Sequence, residues 1–246
     1  MNESLIPGTL WIVSAPSGGG KTSLTRALLP RLAERGWKAE ISVSYTTRQP
    51  RAGEQEGVHY HFVDEATFAT MVEHGDFLEH AEVFGRHYGT GLARTKQLLG
   101  QGVDVILDID WQGARQVRAR RSDVQSVFIL PPSATELERR LRVRGQDTDD
   151  VIAARMHAAR AEMSHHGEYD YLLVNRDFEH ALDELAAIFV ARRMRSAGFD
   201  GGDLGALHPA DHREGARGAR AAAHGDRRRD PQPCRKQARR APLPHP

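Results

Sequence analysis

Three consecutive glycines, followed by a lysine and a threonine, stand near the start of the chain. The stretch, residues 14–22, reads SAPSGGGKT and separates an apolar run from a segment rich in leucine and alanine. Glycines let the backbone curl so that several N–H groups meet one anion, while the lysine reaches outer phosphates and the threonine hydroxyl faces Mg²⁺. Ala15 replaces the first glycine of the usual pattern, and its methyl group only narrows the turn geometry. The sequence therefore predicts a phosphate-binding loop that opens a helix, made of Ala15, Pro16, Ser17, Gly18, Gly19, Gly20, Lys21, Thr22 and Ser23.

Two carboxylates, Asp108 and Asp110, close an apolar and largely β-branched run at residues 103–110. Residues two apart on a strand share a face, so we expect both side chains on one face at the carboxyl end of a strand, where α/β sheets bind ligands. Asp108 is the candidate that orients Mg²⁺ and its waters together with Thr22. The alternative is that these strand-end carboxylates cap a neighbouring helix.

Two arginines three residues apart, Arg48 and Arg51, follow a pair of threonines and are separated by Pro50. Tyr60 stands a few residues further on. Guanidinium groups grip phosphate oxygens with two parallel hydrogen bonds. The spacing therefore predicts a clamp for a phosphate monoester.

A second group of arginines lies between residues 139 and 155. Phosphoryl transfer requires positive charge around the equatorial oxygens of the moving group. A cationic lid over phosphates is therefore expected, whereas a solvated helix face is the alternative, above all for Arg139 and Arg142. The group consists of Arg139, Arg140, Arg142, Arg144 and Arg155.

Strand-like and helix-like segments alternate along residues 9–195. Apolar runs at residues 103–110, 127–130 and 171–174 are typical of strands covered on both faces. A capping box formed by Ser133 and Glu136 predicts a helix up to residue 144, and residues 178–195 predict another. Residues 39–91 differ, because strand-like pieces at 40–45, 58–63 and 86–88 surround one short helix that starts at Asp64. The pattern predicts an α/β fold, with a parallel sheet wrapped by helices and a mostly β insertion.

The composition changes after residue 195. Residues 196–246 hold ten Lys or Arg against six Asp or Glu, six of the twelve prolines and the only cysteine, Cys234. Few large apolar residues are present, so we expect a disordered basic tail. A nucleic-acid-binding arm is the alternative, but a solvated tail is favoured and no nucleic-acid partner is expected. The lack of cysteine before residue 196 fits a reducing cytoplasm, and no apolar stretch approaches the length of a membrane span.

The motif at residues 46–62, which Thr46-Thr47-Arg48 opens, resembles the signature T-[ST]-R-x-x-[KR]-x-x-[DE]-x-x-G-x-x-Y-x-[FY] of the guanylate kinase family. Later blocks look like the bacterial members of that family, in order and at suitable spacing: FLEHAEV at 77–83, YGT at 88–90, LDIDWQG at 107–113, FILPP at 128–132 and RGQD at 144–147. The resemblance covers residues 8–195. Two departures are Gly91 and Leu92, where a serine and a polar residue are usual, and the tail, which matches nothing.

The resemblance implies a P-loop NTPase core with ATP and GMP as substrates and Mg²⁺ as cofactor. It also implies a core at residues 1–38 and 94–195, a GMP-binding insertion at 39–93 and a short helical lid at about 133–155, whereas the tail at 196–246 follows from composition alone. The residues expected around GMP are Ser44, Arg48, Arg51, Tyr60, Glu79, Tyr88, Gly89, Thr90 and Asp110. Those expected to act in catalysis are Lys21, Asp108, Arg140, Arg144 and Arg155.

The chemistry of guanine supports a role for Glu79. Guanine presents N1–H and N2–H₂ as adjacent donors, and one carboxylate can accept from both, whereas adenine presents an unprotonated N1. Hydroxyls of Ser44 and Thr90 can donate to O6. Without the resemblance, a solvated surface charge is an equally good interpretation of Glu79.

Two rival functions remain at this point. A non-catalytic guanylate-kinase-like interaction module tends to lose the phosphate loop and the lid arginines, yet this chain keeps Lys21, Thr22 and Arg144. A kinase for another nucleoside monophosphate is the second rival, and Glu79 with the block from Thr46 to Tyr60 argues against it. The sequence leaves open whether the chain forms a homo-oligomer.

Overall fold

A computed structural model describes residues 7–83, 85–143 and 148–195 of the 246. The predicted lid residue Arg144 and the predicted tail, residues 196–246, lie outside the described residues. The strands are β1 (Leu10–Ser14), β2 (Ala39–Ile41), β3 (Tyr45–Thr46), β4 (His61–Phe62), β5 (Phe77–Val83), β6 (Arg86–Gly91), β7 (Asp104–Asp108), β8 (Gln125–Leu130) and β9 (Tyr171–Val174). The helices are α1 (Lys21–Ala33), α2 (Glu65–His74), α3 (Leu92–Gly100), α4 (Trp111–Arg120), α5 (Ala134–Val143), α6 (Asp149–Ser164) and α7 (Phe178–Arg193), with a short 3-10 turn at His166–Glu168.

Five strands form a parallel sheet in the order β2-β7-β1-β8-β9. Strand β1 lies at the centre, with Val13 opposite Asp108 on one side and opposite Val127 on the other. The carboxyl ends of β1 and β7 therefore lie together, and the glycine-rich loop leaves β1 at that edge. The predicted α/β fold with a parallel sheet flanked by helices is confirmed.

Both faces of this sheet are buried, as the apolar runs predict. Along β1, Trp11 and Val13 pack with the α1 and α7 side chains, whereas Leu10 and Ile12 pack with residues of α3 and α4. Trp11 stacks on Phe189 of α7, with ring centroids 3.8 Å apart. Side chains that alternate along β1 thus belong to two apolar cores, one on each face of the sheet. Burial of apolar side chains is the main source of the stability of the fold.

A second sheet of four strands, in the order β4-β3-β6-β5, stands where the mostly β insertion is expected. Three strand predictions are wrong in detail. Residues 40–45 are not one strand, because Ala39–Ile41 pairs with β7 in the large sheet and Tyr45–Thr46 pairs in the small one. Of residues 58–63 only His61–Phe62 is a strand, and the third strand runs on to Gly91. The edge strand β5 was not predicted as a strand at all.

Helix starts agree well with their capping residues. Asp64 accepts from the Thr67 N–H at 2.7 Å at the start of α2, and Ser133 accepts from the Glu136 N–H at 3.1 Å at the start of α5. Helix α5 packs against α6 through a small cluster that includes Leu137, Leu141 and Ile152. In the part of the chain that the structure describes, no helix is long and apolar enough to cross a membrane.

Candidate active site

A cavity of about 330 Å³ opens at the carboxyl edge of the large sheet and extends towards the small sheet. Its lining brings together residues that are far apart in the sequence. Of the residues predicted for the site, those that line it are Ala15, Pro16, Ser17, Gly18, Gly20, Lys21, Thr22, Ser23, Ser44, Arg48, Arg51, Tyr60, Glu79, Tyr88, Asp108 and Asp110. Among the described residues, the predicted positions that are not part of this lining are Gly19, Gly89, Thr90, Arg140 and Arg155.

The phosphate-loop backbone has the curled shape that the glycines predict. Gly20 has a φ of 96° and is the residue before α1, so the loop turns directly into the helix. A β-carbon at Gly20 would also collide with the Asn175 side-chain amide. Left-handed backbone and close approach both require glycine here. The N-terminal N–H groups of α1 therefore point into the cavity, where an anion is favoured.

Asn175 anchors this loop from the end of β9. Its buried amide donates to the Gly19 carbonyl at 3.0 Å, and its own backbone carbonyl accepts from the Arg140 guanidinium at 3.0 Å. Asn175 was not predicted from the sequence, although it directly follows an apolar strand and Asp108 ends one. The same rule for polar residues at the carboxyl ends of strands would have identified it.

Lys21, Asp108 and Thr22 meet at the floor of the cavity. The Lys21 Nζ lies 2.5 Å from Asp108 Oδ1, and the Thr22 hydroxyl donates to Asp108 Oδ2 at 3.2 Å. Burial lowers the pKa of Lys21, but the charge of Asp108 and its hydrogen bond outweigh burial and leave the pKa raised. Lys21 is therefore a fixed positive charge beside the loop.

The donors at this floor suit Mg²⁺. Thr22 and Asp108 offer one hydroxyl and one carboxylate, and Mg²⁺ in nucleotide sites takes one or two such ligands with waters and phosphate oxygens. Within the described ranges, no group of three or more His, Cys, Asp or Glu could form an all-protein metal site. The residues thus fit an ion that is held jointly with a nucleotide.

Asp110 does not share a strand with Asp108, so that prediction is wrong. Strand β7 ends at Asp108, and Asp110 caps α4 by accepting from the Gly113 N–H at 3.0 Å. The helix-capping alternative is correct for Asp110, since the chain turns into a helix two residues after the strand. Both carboxylates still line the cavity.

Glu79 is the most deeply buried charged residue of the site, with 3% of its surface exposed. It lies opposite Thr90 on the neighbouring strand, and the Thr90 hydroxyl donates to Glu79 Oε1 at 2.5 Å. Burial raises the pKa of Glu79 to about 7, and the charge of Asp110 adds to this, although the Thr90 hydrogen bond opposes it. The solvated-charge interpretation of Glu79 is therefore wrong.

Helix α4 supports the strand that carries Glu79. Gln116 donates to the His80 carbonyl at 2.6 Å, and Arg120 donates to the Phe77 carbonyl at 2.9 Å. Gly113 allows the close approach, because a β-carbon there would lie 2.6 Å from Glu79 Oε2. The position of Glu79 thus depends on a helix of the core as well as on its own sheet.

The predicted arginine pair lines the cavity together with Tyr60 and Tyr88. Glu54 holds the Arg48 guanidinium with both oxygens at 2.9 Å and accepts from the Arg51 N–H at 2.8 Å. The Arg48 guanidinium also lies 5.3 Å from the Tyr60 ring centroid. Glu54 had no role in the prediction, although it occupies the acidic position of the motif. The carboxylate fixes the orientation of the clamp.

The described lid arginines are held by carboxylates and by the backbone. Arg139 and Arg140 both bind Glu136, at 2.7 and 2.8 Å, and Arg142 bridges Glu138 to Asp149. Arg139 and Arg142 are exposed, in keeping with their interpretation as a solvated face. The Arg140 guanidinium donates to the Asn175 backbone carbonyl, and the Asn175 side chain in turn binds the phosphate loop.

Comparison with known proteins agrees with this geometry. The guanylate kinase family model matches residues 8–192. A guanylate kinase of Alkalilimnicola ehrlichii is 60% identical over 190 residues, which cover 77% of this chain and 92% of that protein. The guanylate kinase of Escherichia coli strain K12 is 57% identical over 188 residues, with 76% and 90% covered. The crystal structure of guanylate kinase from Anaplasma phagocytophilum matches with a TM-score of 0.67 at 35% identity, with 80% and 93% covered. A family match across the sheet, the loop and the cavity, with identities this high, means that the chain belongs to the guanylate kinase family.

Proposed function

We infer that the chain transfers the γ-phosphoryl group of ATP to GMP, which gives ADP and GDP. The observation that carries this is a single cavity lined both by a phosphate loop and by the buried carboxylate Glu79. Appearance of GDP and ADP in equal amounts from ATP and GMP, followed by phosphorus NMR, tests it. ATP hydrolysis that is indifferent to GMP would contradict it.

ATP binds with its phosphates on the glycine-rich loop. The N–H groups at the start of α1 and the Lys21 ammonium supply positive potential there. Asn175 keeps the loop in shape through the Gly19 carbonyl. Thr22 and Asp108 are the residues that would hold Mg²⁺ at this loop, and the ion would supply positive charge to the phosphates.

GMP binds at the small sheet with its phosphate on the arginine clamp. Arg48 and Arg51 face the phosphate, and Tyr60 and Tyr88 add hydroxyl donors. Glu79 accepts from guanine N1–H and N2–H₂, and the Ser44 hydroxyl is free to reach O6 from the lining. Thr90 donates to Glu79, so its contribution to base recognition is to orient that carboxylate and not to bind O6 directly.

Transfer itself requires alignment and charge and no general base, since a phosphate monoester is already largely ionised near neutral pH. Lys21 stabilises the charge that moves towards ADP. Arg140 and Arg155, with Arg144 outside the described residues, provide the lid's positive charge. Lid and insertion together exclude water and limit wasteful hydrolysis.

The division of the chain follows from these roles. We propose that residues 1–195 form the kinase, with a core, an insertion that ends near residue 93 and a lid at about 133–155. Because Ala39–Ile41 pairs within the large sheet, the insertion is better begun after Ile41 than at residue 39.

Replacing Gly113 with alanine should raise KM for GMP roughly 10-fold while leaving KM for ATP unchanged. The added β-carbon would lie 2.6 Å from Glu79 Oε2 and must displace the carboxylate. The fold should survive, because alanine stabilises a helix interior relative to glycine by about 0.5–1 kcal/mol. Steady-state kinetics provides the measurement. Gly100→Ala, in α3 with nothing within 4 Å of its β-carbon, is the matched control, and equal kinetics in the two variants would refute the prediction.

Binding of GMP should weaken as the pH falls below neutrality. Only the ionised carboxyl of Glu79 can accept two hydrogen bonds, and its pKa is about 7. The dissociation constant of GMP should therefore rise towards tenfold per pH unit below about pH 7. Calorimetry between pH 8 and pH 6 measures this dissociation constant. Glu79→Gln is the control, because it lacks the carboxyl and shows only the pH dependence that titration of the GMP phosphate causes. The same slope in both proteins would rule out titration of Glu79.

A further inference from the structure

A carboxylate that the mechanism does not use lies in the phosphate end of the cavity. Glu162, in the last turn of α6, is part of the lining together with the phosphate loop. Its Oε2 atom is buried and has no hydrogen-bond partner among the described residues. Leaving a buried charged oxygen unpaired costs free energy, so a position of this kind calls for a functional explanation.

The groups around Glu162 are those assigned to the phosphates of ATP. Burial raises the pKa of Glu162, while the charge of Lys21 and the Ser17 backbone N–H lower it and Asp110 raises it further. Ser17 is in the glycine-rich loop, and its N–H is one of the anion-binding amides. The carboxylate therefore lies beside the same donor and the same ammonium that a phosphate would use.

Two anions cannot share these donors at low cost. Like charges in a partly buried site repel by more than they do in water, because the effective dielectric constant is lower. A phosphate that reaches the Ser17 N–H and Lys21 must move the Glu162 carboxylate away. Glu162 is in the last turn of α6, and the first turns of that helix belong to the proposed lid, so expulsion of the carboxylate acts on a helix that carries part of the lid.

We propose that Glu162 is a competing anion that occupies the phosphate loop until ATP expels it, so that ATP binding is coupled to movement of the lid. The proposal rests on the assignment of the loop to ATP. Arg155 lies seven residues earlier on α6, which is two helical turns and the same face. Expulsion of one side chain from the site therefore changes the position of a lid arginine on the same helix face.

The test is the dissociation constant of ATP with Mg²⁺, measured by calorimetry on the full chain without GMP. Glu162→Gln keeps the shape and removes the charge, so it should bind ATP roughly 5- to 10-fold more tightly than the unmodified chain. Glu138→Gln removes a lid charge that is exposed and paired with Arg142, and it should leave ATP binding unchanged. If the glutamine variant does not fold, Glu162→Met, neutral and close in size, replaces it.

Equal or weaker ATP binding by Glu162→Gln would overturn the proposal, because Glu162 would then help to hold the nucleotide or take no part. Merely structural damage would also weaken binding and cannot produce the expected gain. Failure of the proposed kinase function is distinguishable, since it would appear as absence of GMP-dependent turnover in the unmodified chain, whatever the ATP affinities are.

Discussion

Replacing Lys21 with alanine should lower kcat by roughly 10²-fold or more. The ammonium lines the cavity beside Asp108 and the loop, where we propose that it meets the phosphates of ATP. Charge moves towards ADP during transfer, so the interaction is stronger in the transition state than in the ground state. Loss of one such donor costs about 3 kcal/mol or more of transition-state stabilisation. Steady-state turnover with saturating ATP and GMP measures the effect.

The control for this change is Lys96→Ala, which removes an exposed lysine from α3. Its turnover should match that of the unmodified chain. Both variants should melt at similar temperatures, because neither removes a residue of the apolar cores. Turnover of a folded Lys21→Ala protein within a few-fold of normal would remove the phosphate-loop assignment.

Replacing Glu79 with glutamine should lower kcat/KM for GMP by roughly 10- to 200-fold. The amide keeps the shape of the side chain but sets an NH₂ donor against a donor of guanine, so one hydrogen bond is lost and another group is left opposed. ATP binding should be almost unchanged, because Glu79 and its partner Thr90 belong to the small sheet and not to the phosphate loop. Activity with AMP should not fall below that of the unmodified chain and can rise slightly, since adenine N1 accepts from the new amide.

The same change should stabilise the fold at pH 8. The pKa of Glu79 is raised from 4.5 to about 7, which means that the folded protein binds this proton more tightly than the unfolded chain. Protonation of Glu79 therefore contributes fully to the free energy of unfolding below about pH 4.5, and the contribution is lost as the pH rises through 7. Removing the charge at pH 8 should raise the free energy of unfolding by at most about 3 kcal/mol. Glu82→Gln, on the exposed side of the same strand, is the matched control.

The kinetic prediction for Glu79→Gln has its own contrary outcome. If GMP and AMP lose activity in equal proportion, Glu79 is a structural residue and does not select guanine.

Local patterns predicted those parts of the site that belong to one continuous segment. The glycine-rich loop could be predicted because the lysine, the threonine and the preceding strand are contiguous in the sequence. Asp108 could be predicted because it ends an apolar run. Asp110 was misplaced because an alternating pattern does not report where a strand ends and a cap begins. Here the backbone turns into α4 two residues early.

Residues that depend on tertiary packing were harder to predict. The pairing of Thr90 with Glu79 follows from a register that shifts between Phe77 and Glu79, and no sequence period encodes such a shift. Glu162 looks like any polar residue of a surface helix, and only the packing of α6 over the loop buries it. Residues 40–45 were assigned to one strand because alternation does not say which of two sheets a strand joins.

The measurement that bears most directly on the whole account is ADP formation from ATP with GMP, AMP, dTMP and CMP offered in turn. The buried Glu79 carboxylate in the cavity predicts that GMP alone supports rapid turnover, with kcat/KM at least roughly 10²-fold above that of AMP. A site built to pair guanine's donors leaves a charge unpaired against adenine. Similar rates with all four nucleotides, or a preference for one other than GMP, would contradict the assignment of this cavity to guanine.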